Sequence, residues 1–402
     1  MNFVNKLLPK KYDSRYWMIA VFIYMILAAY LLGCQSLAGT YFYDPYYSDF
    51  PAHLQVTSKT WYSVYHLPVL ATRHWLGYNA GAVISALIIL FCDFLSIYGI
   101  RKFFSESISE RYIVDFLSIA VLLVSMIIPV FWNCWYIGIG SPNPWHTPTY
   151  SAAKPFSVFS YYYFLRLYNN LKLSYSGYKK DLLMFSLFSM LSCATKPSFL
   201  LAAVPAYIIM LLFRLIKEKF IYLIDCVYIG LSLIPAGMVL LIQNLLTFQS
   251  NQVDVNHVRF GTNDVWSGAW VLTGNTITGI HFIDTVFCFG LTVFLAAGFP
   301  LLVATVQARS LRLSQKCSLL IYFFGTIIYL FVYEDGPRKY HGNFGWSYLF
   351  ALLFMFIAAL EGLICNPPEN KNVKNACWVM FCLHLVCGLI YFVKILFGFS
   401  YR

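Results

Sequence analysis

The chain has 402 residues, of which 60% are hydrophobic and only 11% charged, with a formal net charge of +11. Soluble domains carry about 25% charged residues, so the composition excludes an ordinary soluble fold and points to an all-α polytopic membrane protein. The 28 Lys and Arg are scattered along the chain, which argues against nucleic acid as a partner and for a role as topology signals. Eleven cysteines, among them Cys34, Cys92, Cys193, Cys288 and Cys382, lie mostly in apolar runs without a CxxC pair. They indicate neither a disulfide framework nor a zinc site.

A spanning helix needs roughly 20 apolar residues. The hydropathy pattern predicts eleven transmembrane helices, at 16–36, 79–100, 112–133, 155–170, 182–195, 198–213, 220–246, 281–306, 317–333, 346–364 and 376–397. The first has no small-residue cleavage pattern and is expected to stay as a signal anchor. The fifth and sixth are separated only by Thr195-Lys-Pro-Ser198, a turn expected at the membrane face. With the N-terminus inside, 19 of the 28 Lys and Arg fall on the cytoplasmic side, the bias that the positive-inside rule requires. The chain then reads as one transmembrane domain, 1–402, with outer loops 37–78, 134–154, 247–280 and 334–345. His53, His66, His74, His146, His257 and His341 all fall on that outer side, with His281 near its boundary. Long loops in compact proteins tend to carry function, so the working face is expected outside.

In the first outer loop, Tyr43-Asp-Pro-Tyr-Tyr-Ser-Asp-Phe-Pro-Ala-His53 places Asp44, Asp49 and His53 among prolines and aromatics. Pro51 suits the first turn of a helix, and an interfacial helix is expected after it. Asp49 then reads in two ways. It is either an N-cap carboxylate, a role Ser48 can also fill, or a general base whose basicity rises at the membrane boundary. His53 would orient it or bind phosphate. Lys59-Thr-Trp-Tyr62 adds an amphipathic stretch.

The second outer loop carries Trp132, Trp135 and Tyr136, an aromatic belt, then Gly140-Ser-Pro-Asn-Pro-Trp-His-Thr-Pro-Thr149. This proline-rich run is either a rigid turn or a sugar and phosphate pocket lined by Asn143, Trp145 and His146. Lys154 at the top of the next span, and Lys196 in the turn between two spans, either snorkel or pair with an anion. The last outer loop, Tyr333-Glu-Asp-Gly-Pro-Arg-Lys-Tyr-His-Gly-Asn-Phe-Gly-Trp346, is the densest polar cluster. Arg338 can grip phosphate bidentately, with His341 beside it; Glu334 either holds Arg338 in place or meets a sugar hydroxyl, as Asn343 would. No Walker loop, GxSxG, HExxH or dinucleotide fingerprint is present.

This layout resembles the GT-C superfamily of membrane glycosyltransferases. "YYSDFPAHLQ" resembles its acidic motif after the first helix, "ATKPSFLLA" a Lys-containing turn between adjacent spans, and "EDGPRKYHGNFGW" a late outer segment at the donor phosphate. The resemblance implies a GT-C-like architecture, a polyprenyl-phosphate-linked sugar donor and Asp49 as catalytic carboxylate. The chain departs from the pattern in having no large soluble C-terminal domain and no acidic pair in the first loop, which favours a metal-independent, monophosphate-donor type. No cofactor is expected, and no divalent metal is indicated. The expected partners are the lipid-linked donor, a lipid- or glycan-type acceptor and the bilayer. The expected location is a bacterial plasma membrane with the active face periplasmic or extracellular. Catalysis would rest on Asp49 and His53, with Arg338, Lys196, Lys154 and His341 at the donor phosphate. Asp44, Asn143, Trp145, His146, Glu334 and Asn343 would meet sugar or acceptor. Two alternatives share the topology: a transporter or flippase of a lipid-linked saccharide, and an O-antigen polymerase or ligase.

Overall fold

The computed structural model describes residues 15–39, 44–127, 140–171, 175–248, 257–261, 281–335 and 343–399. In chain order the helices are α1 (Arg15–Leu37), α2 (Phe50–Val56), α3 (His66–Leu76), α4 (Tyr78–Ser105), α5 (Arg111–Leu123), α6 (Pro148–Asn169), α7 (Tyr178–Thr195), α8 (Ser198–Lys217), α9 (Leu223–Leu231) and α10 (Ile234–Phe248). After them come α11 (His281–Val306), α12 (Leu313–Phe331), α13 (Gly345–Cys365) and α14 (Lys371–Leu396). Seven apolar stretches among the described residues are long enough to cross a membrane: α1, α4, α8, Leu223–Leu246 across α9 and α10, α12, α13 and α14.

Packing follows the inverted logic of a lipid solvent. Large apolar side chains such as Phe22, Phe91, Phe213 and Ile242 point outward, where hydrocarbon replaces water. Polar side chains turn inward. Ser157 on α6 meets Ser192 on α7 at 2.9 Å, and Ser160 meets Ser189 at 2.8 Å. These small residues let the two helices approach closely and bond across the seam. The helix α13 is buried on every side from Ser347 to Leu363, as expected for a helix that is hydrophobic all round. The helix α6 is nearly as enclosed, so it tolerates a Tyr- and Ser-rich sequence.

One expectation needs correction. The predicted third span, 112–133, is helical only to Leu123, and Val124 turns into extended backbone. Pro129 is a breaker within the predicted span, and distant partners hold the extended stretch before it. Ser125 N donates to His384 O at 3.2 Å and Ile127 N to Leu295 O at 2.9 Å. The His384 ring bonds Ser125 O through Nδ1 at 2.7 Å. Asn143 Nδ2 reaches Val121 O at 2.7 Å and Val124 O at 3.3 Å, capping the helix end. Gly388 is required here, since a Cβ on it would sit 1.6 Å from Leu123 O. Within this all-α fold runs one short antiparallel ribbon among the described residues: β1 (His257–Phe260) pairs with β2 (Val332–Asp335), Val258 facing Glu334. The expected interfacial segment is two helices. The first, α2, is seven residues long; the second, α3, exposes Leu67, Trp75 and Leu76 while burying His66 and Val69.

The helix ends divide by chemistry. The ends of α4, α6, α8 and α12 near Arg101, Arg166, Arg214 and Arg312 carry ion pairs, including Arg101–Asp115, Arg166–Asp181 and Arg312–Glu361. At the opposite ends lie Asp49, His146, Lys196 and Glu334. Between them, Lys154 on α6 faces Asp93 on α4 at 3.6 Å, with exposures of 3% and 1%. Losing one partner of such a pair strands a buried charge, whereas replacing both need not destabilise. Asp93→Asn is therefore expected to lower unfolding free energy by about 3–5 kcal/mol, and Asp93→Leu with Lys154→Met to recover most of it, as read by thermal unfolding in detergent.

Candidate functional site

The site forms where three connections meet. The segment Ser141–Thr147 is buried throughout and leads directly into α6, whose second residue is Thr149. Pro148 suits the first helical position, having no N–H to leave unpaired. Thr147 occupies the N-cap position of α6, yet its side chain makes no capping bond. Its hydroxyl instead donates to Asp49 Oδ2 at 2.7 Å. Asp49 holds the N-cap position of α2 and likewise does not cap it. Ser48 takes that task, accepting from Phe50 N at 3.3 Å. A second bond, Asp49 N to His146 O at 2.9 Å, fastens the two loops together. The capping reading of Asp49 is thus excluded, and its carboxylate is available for other work.

The second connection is the turn between α7 and α8. Pro197 holds the N-cap position of α8, and Lys196 N closes α7 through Ser192 O at 2.8 Å. The first outer loop docks on this helix end, Val64 N donating to Ala194 O at 3.1 Å and Ser63 Oγ to Thr195 O at 3.4 Å. Lys196 Nζ donates to Thr149 Oγ1 at 3.2 Å and lies 4.7 Å from the centroid of the Trp346 ring. Burial pushes its ammonium down to about 8, against the opposing fields of Asp49 and Glu334. The third connection follows α12: β2 carries Glu334, 8% exposed, whose Oε2 accepts from Asn343 Nδ2 at 2.9 Å.

Three imidazoles complete the cluster. His146 is 4% exposed and its ring lies 5.8 Å from that of Trp346. Burial lowers its pKa, the Lys196 charge adds to this, and Asp49 opposes it. His66 is stacked on His53, with His53 Nδ1 and His66 Nε2 3.0 Å apart. Burial and then Lys196 hold His66 at about 4. At neutral pH His66 and His146 are neutral, and Lys196 is the cation set among Asp49, Glu334 and aromatic surface.

Of the residues expected from sequence, the structure brings together Asp49, His53, His146, Lys196, Glu334 and Asn343. Four others serve elsewhere. Lys154 answers Asp93 inside the bundle rather than an outer phosphate. Asn143 caps α5. Trp145 packs on Phe392 and Tyr24, at 4.8 and 6.1 Å between ring centroids. Asp44 holds its own loop, accepting from Gly39 N at 2.7 Å and Tyr46 N at 2.9 Å. Arg338, His341 and the belt Trp132, Trp135 and Tyr136 lie outside the described residues. Sequence reasoning missed Thr147, Thr149, His66 and Trp346 as site residues. The only signal for the two threonines was their place in a proline-rich run.

The described residues contain no cluster of three metal-ligating side chains. Among protein-family models, curated proteins and solved structures, none matches the chain.

Proposed function

We propose that this chain is an inverting glycosyltransferase that moves a sugar from a polyprenyl-phosphate donor to an acceptor hydroxyl at the outer face of a bacterial plasma membrane. The observation that carries this reading is an Asp49 carboxylate freed from capping whose field reaches the partly buried Lys196 ammonium through space. The eleven-span count, the cytoplasmic N-terminus and the GT-C-like architecture belong to the same reading. They are supported by helices at each predicted position, by basic residues gathered at the helix ends opposite the site, and by the short helices α2 and α3 after the first span.

The chemistry asks for little acid help, because a lipid phosphate leaves readily. Asp49 takes the proton of the acceptor hydroxyl as its oxygen bonds to the anomeric carbon. The bond from that carbon to the phosphate oxygen breaks on the opposite face, inverting the centre. Polyprenyl phosphate departs with the electron pair, its charge met by Lys196. Trp346 offers a ring on which a sugar face can stack. Glu334, held by Asn343, is placed for a sugar hydroxyl. His53 on α2, whose N–H bonds Asp49 O, meets His66 at the start of α3.

One observation favours a second reading, transport of a lipid-linked saccharide: the Asp93–Lys154 pair is buried between α4 and α6. One preparation separates the two. Purified protein in liposomes is given a panel of undecaprenyl-phosphate hexoses and pentoses, and both released undecaprenyl phosphate and transbilayer movement of the intact donor are measured. Release supports the transferase; movement without release supports the transporter.

Asp49→Asn is expected to lower transfer by about a hundredfold to ten-thousandfold, the usual worth of a general base, with donor binding and thermal stability retained. Near-normal turnover would sink the assignment. Lys196→Met is expected to weaken donor binding by about tenfold to a hundredfold, as for a hydrogen bond to a charged group. Because Lys196 loses its proton near pH 8, donor KM should rise as pH climbs through that value. In Lys196→Arg, the rise should shift to higher pH, as read from KM between pH 6 and 10.

A further inference from the structure

Thr147 and Asp49 share an unusual arrangement. Each sits at a helix N-cap position with a side chain of the type that normally caps, and neither caps its helix. They are bonded to each other instead, hydroxyl to Oδ2 at 2.7 Å. The donor is well fixed. Thr147 is 1% exposed, its β-branched side chain is stiff at χ1, and its main chain is clamped between His146, which accepts from Asp49 N, and Pro148. The recipient is only partly buried, and among the described residues no hydrogen bond reaches Asp49 Oδ1. The two oxygens of this carboxylate are therefore not equivalent: one is engaged by the protein interior and the other is unengaged.

We propose that Thr147 is a positioning residue for Asp49, engaging Oδ2 so that Oδ1 is the oxygen that receives the acceptor's proton. This rests on the reading of Asp49 as the general base. In the step concerned, the acceptor O–H proton passes to Oδ1. The acceptor oxygen bonds to the anomeric carbon, and the phosphate oxygen leaves with the electrons of its broken bond. Thr147 exchanges no proton. It fixes the rotation of the carboxylate, and small misplacements of a reacting group are costly to rate. A simple stitch between two loops would use the same bond, but its loss would appear in folding and not selectively in turnover.

The test uses the full-length protein in liposomes with the undecaprenyl-phosphate sugar that gives the fastest lipid-phosphate release. Thr147→Val keeps the shape and removes the donor; Thr147→Ser keeps the donor. The expected result is a kcat lowered about tenfold to a hundredfold in Thr147→Val, with donor KM within about twofold and thermal stability close to the parent. Thr147→Ser should stay within about threefold of the parent kcat, since the bond survives. Adding Thr147→Val to Asp49→Asn should cost less than about threefold more, because residues acting as one unit are not additive. Equal losses in the Val and Ser variants, or an unchanged kcat in Thr147→Val, would overturn the inference while leaving Asp49 as base. Normal turnover in Asp49→Asn, or no release from any donor, would remove both readings.

Discussion

Backbone buried away from water must have its polar groups paired, and that constraint shapes this molecule at one place above all. The segment Ser141–Thr147 is irregular and completely enclosed, so its groups and those of the broken helix beside it find partners in each other. Asn143 caps α5, Ser141 Oγ reaches Val124 O, and Tyr150 Oη donates to Pro142 O at 2.7 Å. His146 and Thr147 complete the pairing by holding Asp49. The polar site is thus the outer edge of a network that exists first to satisfy backbone. The polar cluster and the fold depend on the same few bonds.

That origin explains why the site was only partly legible in the sequence. The positions of most helices were readable, because a long apolar run has few alternatives in lipid, although the predicted third span is helical only to Leu123 and seven stretches among the described residues are long and apolar enough to cross a membrane. Asp49, Lys196 and Glu334 were readable as polar residues in outer turns between apolar runs. The pairings were not. The extended stretch after Leu123 is held by His384, Leu295 and Asn143, none of them a local signal. Lys154 was placed at the mouth of a span because the prolines before it read as breakers. Pro148 instead opens α6, which carries Lys154 more than a turn into the bundle and toward Asp93. Whether Asp49 caps α2 was likewise beyond sequence, since it turned on which of two adjacent side chains bonds Phe50 N.

The electrostatics have a similar division. Basic residues at one set of helix ends are answered by carboxylates in close pairs, such as Arg166 with Asp181 at 2.9 Å. At the other end Lys196 has no such direct partner among the described residues. It rests on a hydroxyl and a ring, with two carboxylates acting through space. A cation fully neutralised by contact has little left for a ligand. One that is desolvated and only remotely balanced keeps most of its attraction for an arriving anion, and loses its charge more readily when none arrives.

The bonds that close the α5 break also impose an order on biogenesis. Ser125 depends on His384, 259 residues further along the chain, and Ile127 on Leu295. A ribosome delivers those partners long after α5 has left the exit tunnel. Until α14 arrives and Gly388 seats against Leu123, the strand-like stretch after α5 has no interior mates. A nascent chain must keep it at the aqueous border or within the insertion machinery. The polar cluster around Asp49 is therefore among the last parts to mature, although most of its residues are made early.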